Sequence, residues 1–157
     1  MLPDQPDPHD LRRFVEAQRH DYVRALAELR AGRKRTHWIW YILPQLTGLG
    51  TSSTSTRYGI RSLDEARAYL DHPVLGPRLR ECTAALLALG PVSARDVLGD
   101  VDALKFRSSM TLFARAAEPP SVFDAALDQF FARRPDDRTL ALLEALHRTG
   151  VARRADP

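Results

Sequence analysis

The sequence predicts an all-α fold, a single compact, irregular bundle of seven or eight helices. Three observations lead there. Apolar residues recur at three- and four-residue spacing in one segment after another, and no segment sustains the period-two alternation of a half-buried strand. Glycine, proline and capping residues punctuate the chain at about one helix length. At 157 residues and 44% hydrophobic content, the chain suffices for one domain with a real core and is short for two. The domain is expected over residues 10–150, with flexible tails at 1–9 and 151–157. No internal repeat or heptad run is present.

The elements follow in order. A first helix is expected over residues 10–31, capped by Asp10 and ended by Gly32 in the left-handed conformation that glycine tolerates. Its buried stripe is Leu11, Phe14, Val15, Tyr22, Leu26 and Leu29, with Gln18 in the middle. A buried amide needs hydrogen-bond partners, either structural ones or a ligand. Thr36 can cap a short, nearly all-apolar helix over 37–43, which Pro44 stops. Residues 44–57 read as a loop. Ser62 caps a helix over 63–71, broken by His72-Pro73, and a further helix runs to Leu89. Cys82 lies in the apolar stripe of that helix and reads as packing. Ser93 caps a short helix ending at Gly99, and another helix spans 100–117. Pro119-Pro120 breaks the chain, Ser121 caps a helix through Phe131, and Asp136 or Asp137 caps the last, ending near Gly150.

Composition excludes several functions. No run of about 18 apolar residues exists, so no membrane span is expected. Residues 1–8 lack a basic region and an apolar core and do not read as a signal peptide. The single cysteine forbids an internal disulfide and fits a reducing cytoplasm. The net charge of +3 is mildly basic, and the arginines are mixed with acids along the chain rather than gathered on one element. That pattern disfavours nucleic acid as a partner. The densest cluster, Arg33-Lys34-Arg35, is either a solvated turn or an attractor of phosphate.

The stretch over residues 36–58 holds both tryptophans, Trp38 and Trp40, then a proline stop and a loop rich in glycine and hydroxyls. A short apolar helix feeding a polar loop can build a pocket wall and its lip. Residues 47–53 can offer backbone N–H groups to phosphate, although no G-K-[ST] and no third glycine complete a known fingerprint. In the helix over 100–117, Phe106, Met110 and Phe113 share one side and Val101, Leu104 and Leu112 the other, so the helix is expected to be sandwiched. Lys105, Ser108 and Ser109 stand at i, i+3 and i+4 and are neighbours. Lys105 is expected either to pair with Asp102, one turn earlier, or to face an anion. A serine–lysine nucleophile is conceivable there, with no visible oxyanion hole. His37 can act as a general acid or base, or sit structurally at its helix start. The five histidines are scattered without ligand spacing, so no metal site is expected, and no cofactor.

These residues also resemble a family. G-R-K-R-T-H-W-I-W-Y-I-L-P-Q-L-x-G-L-G at 32–50, Y-G-I at 58–60, H-P-V-L-G-P-R-L at 72–79 and D-x-x-K-F-R-S-S-M-T-L-F at 102–113 are similar to a bacterial family of unknown function. Its members often carry the label calpastatin, and the family includes a small, mostly helical mycobacterial protein. Nothing in the residues supports that label. The resemblance spans about residues 10–147 and implies an all-helical single domain of unassigned activity. It marks His37, Trp38, Trp40, Pro44, Gln45, Gly48, Gly50, Tyr58, His72, Lys105, Ser108, Ser109 and Thr111 as family-defining. Ile39 and Leu43 stand where members commonly have methionine and phenylalanine, volume-like apolar changes. The arrangement further resembles helical N-glycosidase domains acting on ADP-ribose or related nucleotides.

The expected function is a pocket for an anionic, ring-bearing small molecule, a nucleotide or ADP-ribose derivative. Trp38, Trp40 or Tyr58 would stack on its ring; one tryptophan is expected in the core, and the sequence leaves open which. Lys105, with Arg35 or Arg57, would neutralise phosphate, and Gln45, Gly48, Gly50, Ser108 and Ser109 would orient the ligand. In an enzymatic version, N-glycosidic hydrolysis, His37, Asp102 and Lys105 would carry the chemistry. A non-catalytic interaction module is the alternative, and the oligomeric state stays open.

Overall fold

The computed structural model describes residues 5–155, with side chains through residue 150. Nine helices stand among the described residues: α1 (Arg12–Arg30), α2 (Ile39–Ile42), α3 (Ser53–Arg57), α4 (Leu63–Asp71), α5 (Leu75–Leu87), α6 (Ala94–Leu98), α7 (Asp100–Ala116), α8 (Val122–Phe131) and α9 (Asp137–Ala155). Eight match the expected segments. The ninth, α3, lies inside the expected loop and starts at Ser52, whose hydroxyl accepts from the Ser55 N–H. Among the described residues the sole β feature is a parallel bridge, Leu46 with Ile60. No helix is long and apolar enough to cross a membrane among the described residues.

Local chemistry sets most boundaries. Ser62, Ser93 and Ser121 cap α4, α6 and α8 by accepting from the third N–H of each helix, and Asp124 completes a reciprocal capping box with Ser121. Gly32 closes α1 at φ +78, with Arg33 N–H donating to the Glu28 carbonyl and Gly32 N–H to that of Leu29. The core centres on α7, which packs on α4, α6 and α8, while α5 bridges α1 and α8. Phe14, Tyr69, Phe113 and Phe123 form a continuous aromatic row through it. Cys82 is fully buried in α5, and burial pushes its thiol up to about 12. Gln18 is a structural amide: it donates to the Tyr41 carbonyl at 2.7 Å and the Tyr69 hydroxyl at 3.0 Å.

Several expectations are corrected. Asp10 does not cap α1; it sits at φ 51, and Asp7 accepts from the Leu11 and Arg12 N–H groups instead. The carbonyl of His9 accepts from Arg13 and Arg61, so residues 7–10 are tied to the body rather than loose. Residues 1–4 and 156–157, the remainder of the expected tails, lie outside the described residues. Helix α9 continues to Ala155, past the expected stop at Gly150. Thr36 does not cap α2, because its N–H and hydroxyl both bind Glu28. Helix α7 is not sandwiched at its start: Val101 and Leu104 are 65% and 64% exposed. The period of the sequence shows two apolar sides, but only the later part of the second, at Leu112, meets a neighbour.

Three buried polar junctions hold the layers together. At the first, Arg13 directs Nε to the Arg57 carbonyl, Nη1 to the carbonyls of His9 and Asp10, and Nη2 to the Gly59 carbonyl and to Glu65 at 2.6 Å. At the second, the Glu28 carboxylate accepts from the N–H groups of Arg35 and Thr36, the Thr36 hydroxyl and the Trp38 indole. Burial alone would raise this carboxyl, but those donors outweigh it and hold it down to about 2. At the third, Asp136 starts α9 by accepting from Thr139 N–H and hydroxyl, while the Thr111 hydroxyl accepts from the Asp136 N–H.

The break between α4 and α5 is equally built. His72 Nδ1 accepts from the N–H groups of Val74 and Leu75, and burial lowers the pKa of the ring. A Cβ on Gly76 would stand 2.0 Å from the Leu70 carbonyl oxygen, so only glycine lets the two helices meet.

Three outcomes are expected. Arg13→Met, which leaves Glu65 with Arg61 as its remaining cation and removes a donor from four carbonyls, lowers stability by about 3–5 kcal/mol in urea unfolding. Gly76→Ala lowers it by at least about 2 kcal/mol, since backbone rather than a side chain must shift. For Glu28 the folded pKa is depressed from 4.5 to about 2. Its contribution is therefore complete above pH 4.5 and disappears as pH falls through 2, amounting to about 3 kcal/mol. Glu28→Gln should lower the melting temperature at neutral pH and flatten the acid limb of the stability–pH curve. An acid limb unchanged by the substitution would assign the acid loss to other carboxylates.

Candidate functional site

Trp38, at the N-cap of α2, and Trp40, in its first turn, are two residues apart and so point in different directions. Trp38 is core, 1% exposed, with its indole N–H on Glu28 at 3.0 Å. Trp40 is half-buried and faces α7. Each carries a lysine, but the two lysines differ. Lys34 lies 5.0 Å from the Trp38 ring centre and binds Asp102 at 2.8 Å, its side chain 7% exposed. Lys105 lies 5.0 Å from the Trp40 ring centre, and among the described residues no carboxylate stands within ion-pair distance of it. Asp102 therefore pairs with Lys34 and not with Lys105. The inward turn of Lys34 also divides the basic triplet, leaving Arg33 and Arg35 exposed on either side.

An aromatic face attracts an ammonium without neutralising it, so the three N–H donors of Lys105 remain able to take an anion. Val101, one turn earlier on α7, is an exposed apolar neighbour of Lys105. Ser109, one turn later, is fully buried, and its hydroxyl has no hydrogen-bond partner among the described residues. The ledge thus combines an aromatic ring, an exposed apolar neighbour and a cation with no carboxylate within ion-pair distance among the described residues.

The other expected site residues separate from it. Ser108 shares its hydroxyl proton between the Leu104 carbonyl at 3.1 Å and Asp136 at 3.3 Å, which makes it part of the α9 start. Arg107 donates to the carbonyls of Arg134 and Pro135 and fixes the same turn. His37 is exposed, and its carbonyl accepts from the Tyr41 hydroxyl at 3.3 Å. The backbone of Gln45 accepts from Ile60 N–H, forming the parallel bridge. Gly48 sits at φ +96 against Leu142 of α9. A Cβ on Gly50 would meet the Ser55 hydroxyl at 2.6 Å, so the glycine loop packs on α3 rather than standing open. Tyr58 stacks edge-on to Tyr41 at 5.3 Å and tilts on Phe14 at 5.9 Å, with the Arg57 guanidinium 5.6 Å from its ring.

Sequence reasoning missed Glu28, Arg13 and the Arg61–Glu65 contact at 2.9 Å. Their partners are distant in sequence, and charged residues inside amphipathic helices give no local sign that they turn inward. The one available signal was the capping serine before Glu65, whose hydroxyl accepts from the Glu65 N–H and so fixes that residue in the first turn of α4.

A family model described as protein of unknown function (DUF1810) matches residues 8–143. No curated protein matches the chain. Among solved structures, the conserved hypothetical protein Rv1873 from Mycobacterium tuberculosis is similar at 51% identity and a TM-score of 0.86, over 88% of this chain and 99% of that one. The all-helical architecture and its order of elements are thus shared with a relative solved by crystallography, and the chain belongs to the DUF1810 family of proteins of unknown function.

Proposed function

We propose that this protein binds an anionic, ring-bearing small molecule, a nucleotide or an ADP-ribose derivative, on the ledge formed by Trp40 and Lys105. The observation that carries the reading is the half-buried Lys105, held over an indole face with no carboxylate among the described residues. Its charge is met by phosphate, while Trp40 and the exposed Val101 receive the ring. The single buried cysteine fits a reducing, cytoplasmic setting.

In a hydrolytic version of this reading, water adds to the anomeric carbon as the ligand's N-glycosidic bond breaks and the free base leaves. His37 is exposed and apart from the ledge, so it could take the water's proton only with the ligand reaching across to it. Asp102 is bound to Lys34 and would act in this version through that ion pair. The exposed Val101 and Leu104 favour a second reading, an interaction surface that covers them without turnover.

Thermal shift against NAD, ADP-ribose, mononucleotides and inorganic phosphate separates these readings. Stabilisation of roughly 2–3 kcal/mol is expected at about 100 times Kd for a ring-bearing anion in the wild type. It should be absent from Lys105→Ala and from Trp40→Ala, with urea unfolding showing that each variant is folded, since Trp40 also packs against the core. Release of free base on prolonged incubation would establish turnover. No shift with any member would move the assignment to the interaction surface.

A further inference from the structure

We propose that the cleft between the start of α1 and α3 is a second, separate site, and that its ligand is a phosphate monoester. The cleft is about 430 Å³ and is lined by Arg13, Arg57 and Arg61, with Ser53, Thr56 and Asp10 at its edges. That volume exceeds a bare phosphate and falls in the range of small-ligand sites, roughly 300–1,000 Å³. None of its lining residues belongs to the Trp40 ledge.

The charge balance of the cleft favours an anion. Glu65 is fully buried, and its single negative charge is divided between Arg13 at 2.6 Å and Arg61 at 2.9 Å. Arg57 is exposed, with its guanidinium beside the Tyr58 ring and no carboxylate within ion-pair distance among the described residues. Asp10 is the carboxylate at the edge and Glu16 acts on Arg57 from beyond ion-pair distance, so at close range three guanidiniums face two carboxylates, Asp10 and Glu65.

Donors are available where that charge collects. Arg61 uses Nε on Glu65 and one Nη2 proton on the His9 carbonyl, which leaves three of its N–H groups. The Ser53 hydroxyl is exposed and has no partner among the described residues, whereas Thr56 already donates to the Ser52 carbonyl. Two guanidinium forks and one hydroxyl suit a tetrahedral oxyanion better than a carboxylate.

The cleft is also held in shape before any ligand arrives. Arg13 donates to the carbonyls of residues 57 and 59, at 2.8 and 2.9 Å, and so fixes the backbone that presents Arg57. A site whose backbone is already ordered loses less entropy on binding.

Isothermal titration of the full chain with glycerol 2-phosphate, which has no ring, tests the assignment near neutral pH in chloride buffer. Binding is expected below about 10 mM, weakened about tenfold or more by Arg57→Gln, and unchanged by Lys105→Ala and Trp40→Ala. Arg57 makes no ion pair, so that variant keeps its fold; Arg61→Gln provides a second reading where it remains folded. No binding to the wild type, or binding indifferent to Arg57→Gln, overturns the proposal. Binding lost in Lys105→Ala and kept in Arg57→Gln overturns it too and assigns the anion to the Trp40 ledge. Failure of the ring-bearing ligands leaves this test intact, because the two sites share no residue.

Discussion

Arg13 donates all five of its N–H groups inside the protein, and the geometry of the N-terminal half depends on that single guanidinium. It gathers the chain before α1, the turn after α3 and the first turn of α4 onto one planar group. A buried guanidinium is costly to desolvate, and its pairing with Glu65 does not by itself guarantee net stability. What the arrangement adds is uniqueness. Five acceptors in a fixed fork accept one placement of three chain segments and reject others, because any slip leaves a buried carbonyl or carboxylate without a partner.

The same logic sorts the residues of the family motifs. Trp38 donates its indole N–H to Glu28, and His72 starts a helix. Gly76 permits a close helix approach, and Ser108 and Thr111 fix the turn into α9. Motifs mixing polar and aromatic side chains are therefore largely explained by the bundle itself. Lys105, Ser109 and one ring nitrogen of His72 are the exceptions: Lys105 meets only the π face of Trp40, and the buried Ser109 hydroxyl and His72 Nε2 have no hydrogen-bond partner among the described residues.

How legible the fold was depended on the range of the interaction. Ser62, Ser93 and Ser121 were readable as helix starts because the cap and the N–H it binds are three residues apart. Gly32 was readable for the same reason. The placement of Asp102 was not: its partner, Lys34, lies across the fold, while the nearby Lys105 offered a plausible local alternative. Asp10 lost the cap of α1 to Asp7 through a backbone turn whose left-handed residue carries no glycine to announce it. The exposure of Val101 and Leu104 was hidden because periodicity shows how many apolar faces a helix has, not how many neighbours meet them. For the candidate site, Trp40 and Lys105 were legible as residues, but their pairing came only from the crossing of α2 over α7.

The divergence of the two tryptophans has a spectroscopic consequence. Trp38 is sealed in the core beside an ionised carboxylate, so its emission reports the integrity of the bundle and changes when the domain unfolds. Trp40 lies half in solvent beneath an ammonium, so its emission responds to whatever alters the charge or polarity of that ledge. One protein thereby holds two native fluorophores with separate assignments, folding and surface occupancy, and replacing either with phenylalanine isolates the signal of the other.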